Sequence, residues 1–571
     1  VTTDVTELLA QASAWRDIDP DPETSAELDT LIRKAQSGDQ HSLADVSERF
    51  SGHLVFGTAG LRGELGAGPM RMNRVVVAHA AYGLGRYLLG RETSEGELSV
   101  VIGFDARVNS DVFAYDTASI LASMGIKPLL LSRHVPTPVV AFGVRHLQAT
   151  AGVMVTASHN PPRDNGYKVY LGGVDDGSQI IPPSDADIMR EIMASHHSGV
   201  LPPMATDVTK NSTLHDEVVA AYLEHTARLI PDDNTVDLAT LRVCYTPMHG
   251  VGADVFVALC ESVGFAPPIV VTQQGRPDPT FPTVSFPNPE EPGALDLAIQ
   301  TATEHSCDLV IAHDPDADRL AIAIPDVSAP RGWRVLTGNE VGVLLMSDVA
   351  ERASRQGRGG TLACSLVSTP LTETIAHKNG LNFVATPTGF KWISRPPGLL
   401  AGFEEALGYL VNPDTIRDKD GISAGIAAMY VAHRLAAEGK TLADRLDDIV
   451  SAYGAFHSAS LTVRYPSMAD SVNAMASVRA HPEGTLAGID AATVIDFLTT
   501  PPHGFPATNL LLCELGEGSR VIFRPSGTEP KLKVYVDTLA ETTPLATKKA
   551  TALLHTLDDI LAGLAAGAPQ S

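Results

Sequence analysis

Positive charge is scarce in this chain: 42 Lys and Arg stand against 67 Asp and Glu, a formal net charge of -25 over 571 residues. Nucleic acid and anionic membrane surfaces both demand a basic face, so neither is expected as a partner. Cysteine is scarce as well. The five present, Cys244, Cys260, Cys307, Cys364 and Cys513, are odd in number, dispersed and free of metal-ligand spacing. That usage fits a reducing compartment and leaves no disulfide framework. No apolar run reaches membrane length, and the acidic N-terminal stretch lacks the basic and apolar regions of a secretion signal, so a cytoplasmic location is expected. No dinucleotide fingerprint or nucleotide-binding lysine loop occurs. In so negative a field, local clusters of Lys and Arg gain weight as places where an anionic substrate could be held.

The first cluster surrounds Ser158. An apolar run, Gly152-Val153-Met154-Val155, ends in the polar loop Thr156-Ala157-Ser158-His159-Asn160-Pro161-Pro162, with Arg163 and Lys168 close behind. A serine hydroxyl is a weak nucleophile unless a base, a positive field or a metal assists it. His159, Arg163 and Lys168 could provide the first two. The second cluster is Asp314-Pro315-Asp316-Ala317-Asp318-Arg319, which follows Leu309-Val310-Ile311-Ala312. Alternate residues of an extended segment point the same way, so three carboxylates converge and repel unless a cation lies between them. Oxygen-only donors suit Mg²⁺ better than zinc. A calcium-binding EF-hand loop is excluded, because its sixth and twelfth positions here are Arg319 and Pro325 rather than Gly and Glu.

A third segment, Arg524-Pro525-Ser526-Gly527-Thr528-Glu529-Pro530-Lys531-Leu532-Lys533, lies between strand-like Arg520-Val521-Ile522-Phe523 and Val534-Tyr535-Val536. Hydroxyls, a glycine backbone and three cations make it a phosphate cradle, in which Arg524 can grip two oxygens. A plain hairpin turn is the alternative; it explains the glycine and prolines and, less readily, the hydroxyls.

One pattern recurs three times: strand, helix closed by glycine, strand, then a third strand that ends in a polar motif. Val100-Val101-Ile102 leads through Gly125 and Leu129-Leu130-Leu131 to Ser158. Arg242-Val243-Cys244-Tyr245 leads through Gly264 and Ile269-Val270-Val271 to Asp314. Leu362-Ala363-Cys364 leads through Gly380 and Phe383-Val384-Ala385 to Leu400-Ala401-Gly402 and Glu404. Sites outside the carboxyl ends of strands are the mark of α/β units. The tail, with strands such as Leu461-Thr462-Val463-Arg464 and Leu510-Leu511-Leu512-Cys513, reads as antiparallel α+β. The expected organisation is a helical extension over 1–50, patterned in 5–14 and 26–35, then domains over 51–205, 206–328, 329–450 and 451–571.

With these motifs in this order, the chain resembles the α-D-phosphohexomutases, the phosphoglucomutase and phosphomannomutase family, from about residue 50 into the last domain. Phe56-Gly57-Thr58-Ala59-Gly60-Leu61-Arg62-Gly63 resembles the family's N-terminal active-site loop, which implies that Arg62 reaches the catalytic phosphate. Ser158 falls in the phosphoserine loop, Asp314 to Arg319 in the magnesium loop, Glu404 to Gly408 in the sugar-recognition loop, and Arg524 to Thr528 in the phosphate loop. Thr388-Gly389-Phe390-Lys391-Trp392 and Arg417-Asp418-Lys419-Asp420-Gly421 look most like the branch that holds glucose and pentose mutases. The resemblance implies three similar α/β domains plus a C-terminal α+β domain, heart-shaped around a central cleft. Ala406 stands where the family often has a serine for a sugar hydroxyl, which leaves the sugar open.

The chemistry so implied is an intramolecular phosphotransfer. Phosphorylated Ser158, with Mg²⁺ held by Asp314, Asp316, Asp318 and Ser158, gives its phosphoryl group to a sugar monophosphate. A sugar bisphosphate intermediate turns over and returns the other phosphate, and the same bisphosphate serves as activator. Arg62 and Arg319 carry charge neutralisation. Lys168 and Lys391 are candidates for proton transfer, which requires a lowered pKa near other cations, with His159 as the alternative. Glu404, Thr388 and Gly389 face the sugar; Arg524, Ser526, Gly527 and Thr528 hold the distant phosphate. The expected substrate is a hexose 1-phosphate or 6-phosphate, glucose or mannose, with phosphopentomutase or sugar bisphosphate synthase as alternatives. A phosphatase and a catalytically silent phosphosugar sensor are readings from other classes. The partner is a small phosphosugar; no protein partner is readable. Two motifs stay outside this scheme: Thr246-Pro247-Met248-His249-Gly250-Val251-Gly252, read as structural, and Gly103-Phe104-Asp105-Ala106-Arg107, which either brings Arg107 to the site or holds a loop through an aspartate-arginine pair.

Overall fold

Three stretches of the chain build the same parallel core. In the computed structural model, which describes residues 5–57, 60–91, 97–209, 212–231, 237–482, 486, 491–502, 504–526 and 530–565, the first sheet contains β1 (Leu61–Glu64), β2 (Ser99–Phe104), β3 (Lys127–Leu130), β4 (Ala151–Val155), β5 (Asp164–Leu171) and β6 (Ser178–Gln179). β2 lies between β3 and β4, parallel to both, while β5 and β1 extend the sheet antiparallel from β4. The second sheet repeats the plan: β7 (Val243–Thr246) lies parallel between β8 (Ile269–Val270) and β9 (Leu309–Ala312). β10 (Ala321–Pro325) and β11 (Trp333–Val335) then follow antiparallel. In the third, β12 (Thr361–Ser365) lies parallel between β13 (Asn382–Thr386) and β14 (Leu399–Glu404); β15 (Gly408–Leu410) comes next along the chain.

Each repeat therefore places its first strand between its second and third. Every residue of β4, β9 and β12 is buried, the condition that makes central parallel strands read as unbroken apolar runs. The helices Ser110–Ser123, Ala253–Ser262 and Leu371–Lys378 are followed by Gly125, Gly264 and Gly380 at φ 77, 92 and 73. A left-handed residue there turns the chain back toward the next strand, and only glycine enters that conformation without steric cost.

The tail is antiparallel throughout, in the order β16 (Ala455–Arg464), β20 (Lys531–Ala540), β19 (Arg520–Pro525), β18 (Leu511–Leu515), β17 (Ala491–Asp496). One face buries Val521, Phe523, Val534 and Val536 against Met475 and Val478 of the helix Met468–Ala480 and Leu553 and Leu557 of the helix Thr543–Ala565. The other face, Leu512, Ile522 and Tyr535, packs on Leu366 and Val367 beyond β12.

At the N-terminal end the expected helices are Val5–Ile18 and Pro22–Gln36. A third, Gln40–Arg49, was not anticipated; Asp39 caps it by accepting from the His41 and Ser42 amides. Trp15, Leu28, Ile32 and Val46 join the core under the first sheet.

The chain forms two compact units: Val1–Leu336 with Gly408–His433, and Thr337–Leu407 with Arg434–Ser571. The segment Gly408–His433, read from sequence as part of the third domain, thus folds with the first two sheets. All five cysteines are free and buried. Among the described residues no helix is long and apolar enough to cross a membrane.

Candidate active site

β4 and β5 are joined by the loop 156–163, and this hairpin positions two functional groups at once. Ser158 sits in the loop at φ 52, a left-handed conformation uncommon for a residue with a side chain, and is 3% exposed. Its amide donates to Thr156 Oγ1 at 2.8 Å, a serine-threonine turn that fixes the bend. Its Oγ donates to Asp314 Oδ2 at 2.8 Å and lies 3.3 Å from His159 Nδ1. Lys168 is on β5, opposite Met154. Its Nζ donates to Asp316 Oδ2 at 2.7 Å and to Asp318 Oδ2 at 2.8 Å.

The carboxylates come from the loop between β9 and β10. Ala317 turns through φ 56 between Asp316 and Asp318, and one oxygen from each of Asp314, Asp316 and Asp318 lies within 4.8 Å of the others. All three residues are 0% exposed. Thr137 Oγ1 donates to Asp316 Oδ2 at 2.5 Å, and the Arg319 amide donates to Asp314 Oδ1 at 3.0 Å. The loop is braced from behind by the segment around His249. A Cβ on Gly250 would stand 2.3 Å from Pro315 Cα, and the Val251 amide donates to Pro315 O at 2.8 Å. His249 itself lies 2.8 Å from Thr283 Oγ1 through Nε2.

Two members of this site were not picked out from sequence. Lys419 lies in the quoted segment 417–421, yet only the fold shows its Nζ 2.9 Å from Asp318 Oδ2. Its neighbours fasten that segment: Asp418 accepts from Tyr170 Oη and Gln179 Nε2, both at 2.8 Å, and Asp420 accepts from Tyr222 Oη at 2.9 Å. His313, fully buried, lies 3.0 Å from Tyr245 Oη through Nδ1 and 2.9 Å from Gly421 O through Nε2. Burial pushes its pKa down to about 3, so it is a neutral connector between β9 and the Lys419 segment.

Burial raises the pKa of all three carboxyls, and their partners then separate them. Asp314, facing Asp316 and Asp318, is held well above the usual range. Asp316 and Asp318 end below it despite burial, because Lys168 serves both and Lys419 adds to the second. The converse corrects one expectation. Proton transfer by Lys168 was argued from a lowered pKa near other cations; burial does push in that direction, but Asp316 and Asp318 outweigh it and raise the ammonium above its usual value. His159 goes well below 6.5, through burial first and then through Arg319 and Arg62, and is a neutral imidazole beside Ser158.

Asp316 Oδ1 and Asp318 Oδ1 are buried and accept no hydrogen bond. Two orphaned carboxylate oxygens beside a third carboxyl, with oxygen the sole donor element, fit a hard divalent cation such as Mg²⁺.

The other expected residues divide between the two units. Arg62 lies on β1 opposite Gly166, donates from Nη1 to Asn160 Oδ1 at 3.1 Å, and so reaches the Ser158 loop. Its Nε is buried without a hydrogen-bond partner. Arg319 Nη1 is 3.6 Å from Glu290. In the second unit, Gly389 (φ 105) follows Thr388 and precedes the short helix Phe390–Ile393, and Lys391 Nζ lies 5.6 Å from the Trp392 ring centroid. Glu404 closes β14. Its neighbour Glu405, not singled out from sequence, accepts from Ser365 Oγ at 3.0 Å and Ser368 Oγ at 3.1 Å. Burial, and next the Glu404 charge, raise Glu405 to about 7. Arg524 is the penultimate residue of β19, opposite Lys533, and the Ser526 amide donates to Lys531 O at 2.9 Å. Gly527 and Thr528 lie outside the described residues.

A threefold α/β repeat with an antiparallel tail, and a strand-end serine set against buried carboxylates, define a multidomain α/β enzyme. The particular family follows from comparison with known proteins. Residues 53–198, 220–327 and 337–453 match the phosphoglucomutase/phosphomannomutase alpha/beta/alpha domains I, II and III. A "Probable phosphomannomutase" of Haemophilus influenzae is 48% identical over 82% of this chain and 93% of its own length. A phosphoribomutase of Saccharomyces cerevisiae is 34% identical over 92% of both chains. The crystal structure of parafusin, a phosphoglucomutase from Paramecium, superposes with a TM-score of 0.66 over 90% of this chain and 96% of its own; at 17% identity it speaks to the fold alone. The chain belongs to the phosphoglucomutase/phosphomannomutase family of α-D-phosphohexomutases. It is an isomerase of the phosphotransferase type.

Proposed function

We propose that this enzyme interconverts the 1-phosphate and 6-phosphate of a hexose through a phosphoserine at Ser158 and a sugar bisphosphate intermediate. The observation that carries this reading is Ser158 Oγ at 2.8 Å from Asp314 Oδ2, within a cluster of three buried carboxylates. Mg²⁺ bound to Asp314, Asp316 and Asp318, with a phosphorylated Ser158 oxygen, would supply charge neutralisation at the transferring phosphoryl group.

The chain's own residues do the rest. In the first half reaction the Ser158 Oγ–phosphorus bond breaks, a sugar oxygen–phosphorus bond forms, the sugar hydroxyl gives up its proton, and the departing Ser158 Oγ takes one up to become a hydroxyl again. His159, neutral and beside Ser158, is the proposed acceptor, with Lys391 as the second candidate. Lys168 acts as fixed charge, held protonated by Asp316 and Asp318. Arg62 and Arg319 neutralise the reacting phosphate. Glu404 binds sugar hydroxyls next to the Thr388-Gly389 turn, and Arg524, Ser526, Gly527 and Thr528 hold the phosphate away from the reaction. The bisphosphate then turns over and returns its other phosphate to Ser158, and the same bisphosphate acts as activator.

The hexose reading is supported by the 48% identical relative's name. A pentose is the second reading: Ala406 removes a hydroxyl from the sugar loop, and a phosphoribomutase lies among the relatives.

Intact-mass analysis after incubation with sugar bisphosphate should show one phosphoryl group, lost in Ser158→Ala. Turnover of that variant should fall at least about a thousandfold. Substantial mutase activity in Ser158→Ala would overturn the mechanism. Isomerisation rates for mannose, glucose and ribose monophosphates decide the sugar, and release of inorganic phosphate in their place would mark a phosphatase.

A further inference from the structure

The Gly103-Phe104-Asp105-Ala106-Arg107 motif has no part in the scheme above, yet it ends directly beneath the Ser158 loop. β2 continues past Phe104 by one more ladder bond, Asp105 N to Val155 O at 3.0 Å, and this brings Arg107 under residues 156–163. The Arg107 and Asp105 side chains are each 1% exposed. Arg107 Nη2 donates to Ser158 O and Asn160 O, both at 2.6 Å. Nη1 donates to Pro161 O at 2.8 Å and Asp164 O at 3.1 Å. The guanidinium is itself fixed from below. Asp105 Oδ2 lies 3.5 Å from Nε, and Asp105 Oδ1 accepts from the Arg107 amide at 3.0 Å and from Ser110 Oγ at 2.6 Å. The Phe281 ring centroid is 5.0 Å from Cζ.

Four carbonyl oxygens that converge on one point repel one another, and no β-ladder partner is available to a loop of this shape. A planar guanidinium has enough N–H groups in a fixed fork to satisfy all four; an ammonium has three donors and no plane. The conformation is also a demanding one. Ser158 at φ 52 turns its carbonyl down toward Arg107, and the same rotation presents Oγ to Asp314. Holding the carbonyl therefore holds the hydroxyl.

We propose that Arg107 is the positioning residue for Ser158: it touches no substrate and fixes the left-handed turn that aims Oγ at the carboxylate site. This rests on Ser158 being the phosphoryl carrier. Misplacing a reacting atom by about 1 Å lowers turnover on the order of a hundredfold while leaving binding contacts in place. Arg107→Ala and Arg107→Lys should therefore each lower kcat by roughly 10- to 100-fold with KM for the sugar monophosphate changed by less than about twofold. The rate at which bisphosphate loads Ser158, read by intact mass, should fall in parallel.

Added guanidinium at millimolar concentration should recover part of kcat in Arg107→Ala, where a guanidinium-sized space is left, and none in Arg107→Lys. A purely structural role would lower the folded fraction and leave kcat per folded enzyme unchanged; that result, or a KM rise equal to the kcat loss, overturns the proposal. If Arg107→Ala does not fold, Arg107→Lys gives the same reading, since the charge is kept and the fork is not. The two ideas fail separately. Activity in Ser158→Ala overturns the phosphoserine reading, whereas an inactive Ser158→Ala beside fully active Arg107 variants overturns the clamp alone.

Discussion

Asp318 in the first unit and Glu405 in the second face one problem, a carboxyl withdrawn from water, and end on opposite sides of the ordinary range. Burial pushes both up. At Asp318 the Lys168 and Lys419 ammonium groups, 2.8 and 2.9 Å away, reverse the push and keep the group charged. Around Glu405 burial is reinforced by Glu404, and the hydroxyls of Ser365 and Ser368 offset only part of it. Burial therefore sets the size of the perturbation and the partner sets its sign. A buried carboxyl beside ammonium groups is kept ionised, as at Asp318, while one beside another carboxylate is pushed toward its protonated form, as at Glu405 and Asp314.

The comparison can be broken most severely at the metal-type carboxylates. Asp316→Asn removes one charge of three, and turnover should fall on the order of 10²- to 10³-fold with a higher Mg²⁺ requirement. Unchanged rate and metal dependence would reduce the triad to a turn. Next comes Lys168→Met, which takes the cation from both Asp316 and Asp318. The loss should be about 3–5 kcal/mol of folding stability, measured by urea unfolding and partly recovered by added Mg²⁺. Equal stability in the variant would show that Lys168 does not set the sign.

Smaller effects sharpen the second unit. Arg524→Ala should lower kcat/KM by roughly 10- to 100-fold for hexose and pentose phosphates alike, because phosphate is their common handle. Glu404→Ala should instead change the ratio between the two sugars; a ratio that shifts equally in both variants refutes this division of labour. The remaining effect, on pH dependence, is expected at Glu405. Its folded pKa of about 7 lies above the unfolded value of about 4.3, so between these pH values only the folded form carries the proton. Stability from this group is then full at the acid end of the window, declines as pH rises, and levels off above about pH 7. Glu405→Gln should remove that slope, which amounts to about 1.4 kcal/mol per pH unit within the window. Parallel pH profiles in variant and parent would leave Glu405 without this role.

Much of the parallel core was legible because strands such as β4, β9 and β12 are buried apolar runs and the helices Ser110–Ser123, Ala253–Ser262 and Leu371–Lys378 are each followed by a glycine. Ser158 and the three aspartates were legible because their motifs are contiguous. What escaped was long-range. Nothing local in 417–421 says that Lys419 will meet Asp318, since that contact depends on Gly408–His433 folding with the first unit. The direction of the Lys168 shift escaped for a related reason. Nearby cations were visible in the chain, but the Asp316 and Asp318 carboxylates that raise the Lys168 ammonium against burial come from the loop of another sheet. Glu405 was hidden beside Glu404, as only the fold separates two adjacent carboxyls. The third N-terminal helix had a readable signal in Asp39, but a ten-residue helix with so few apolar positions is a weak pattern.

The backbone at Ser158 narrows the set of sequences that could ever occupy this position. Threonine carries the same hydroxyl and is as readily phosphorylated in chemical terms, yet a β-branched side chain at φ 52 is a severe outlier. Glycine and asparagine would accept the turn without complaint and bring no nucleophile. Tyrosine would bring its oxygen several ångströms too far out. Among the hydroxyl-bearing side chains the chemistry and the conformation together leave serine alone, so the choice of residue here has two independent causes.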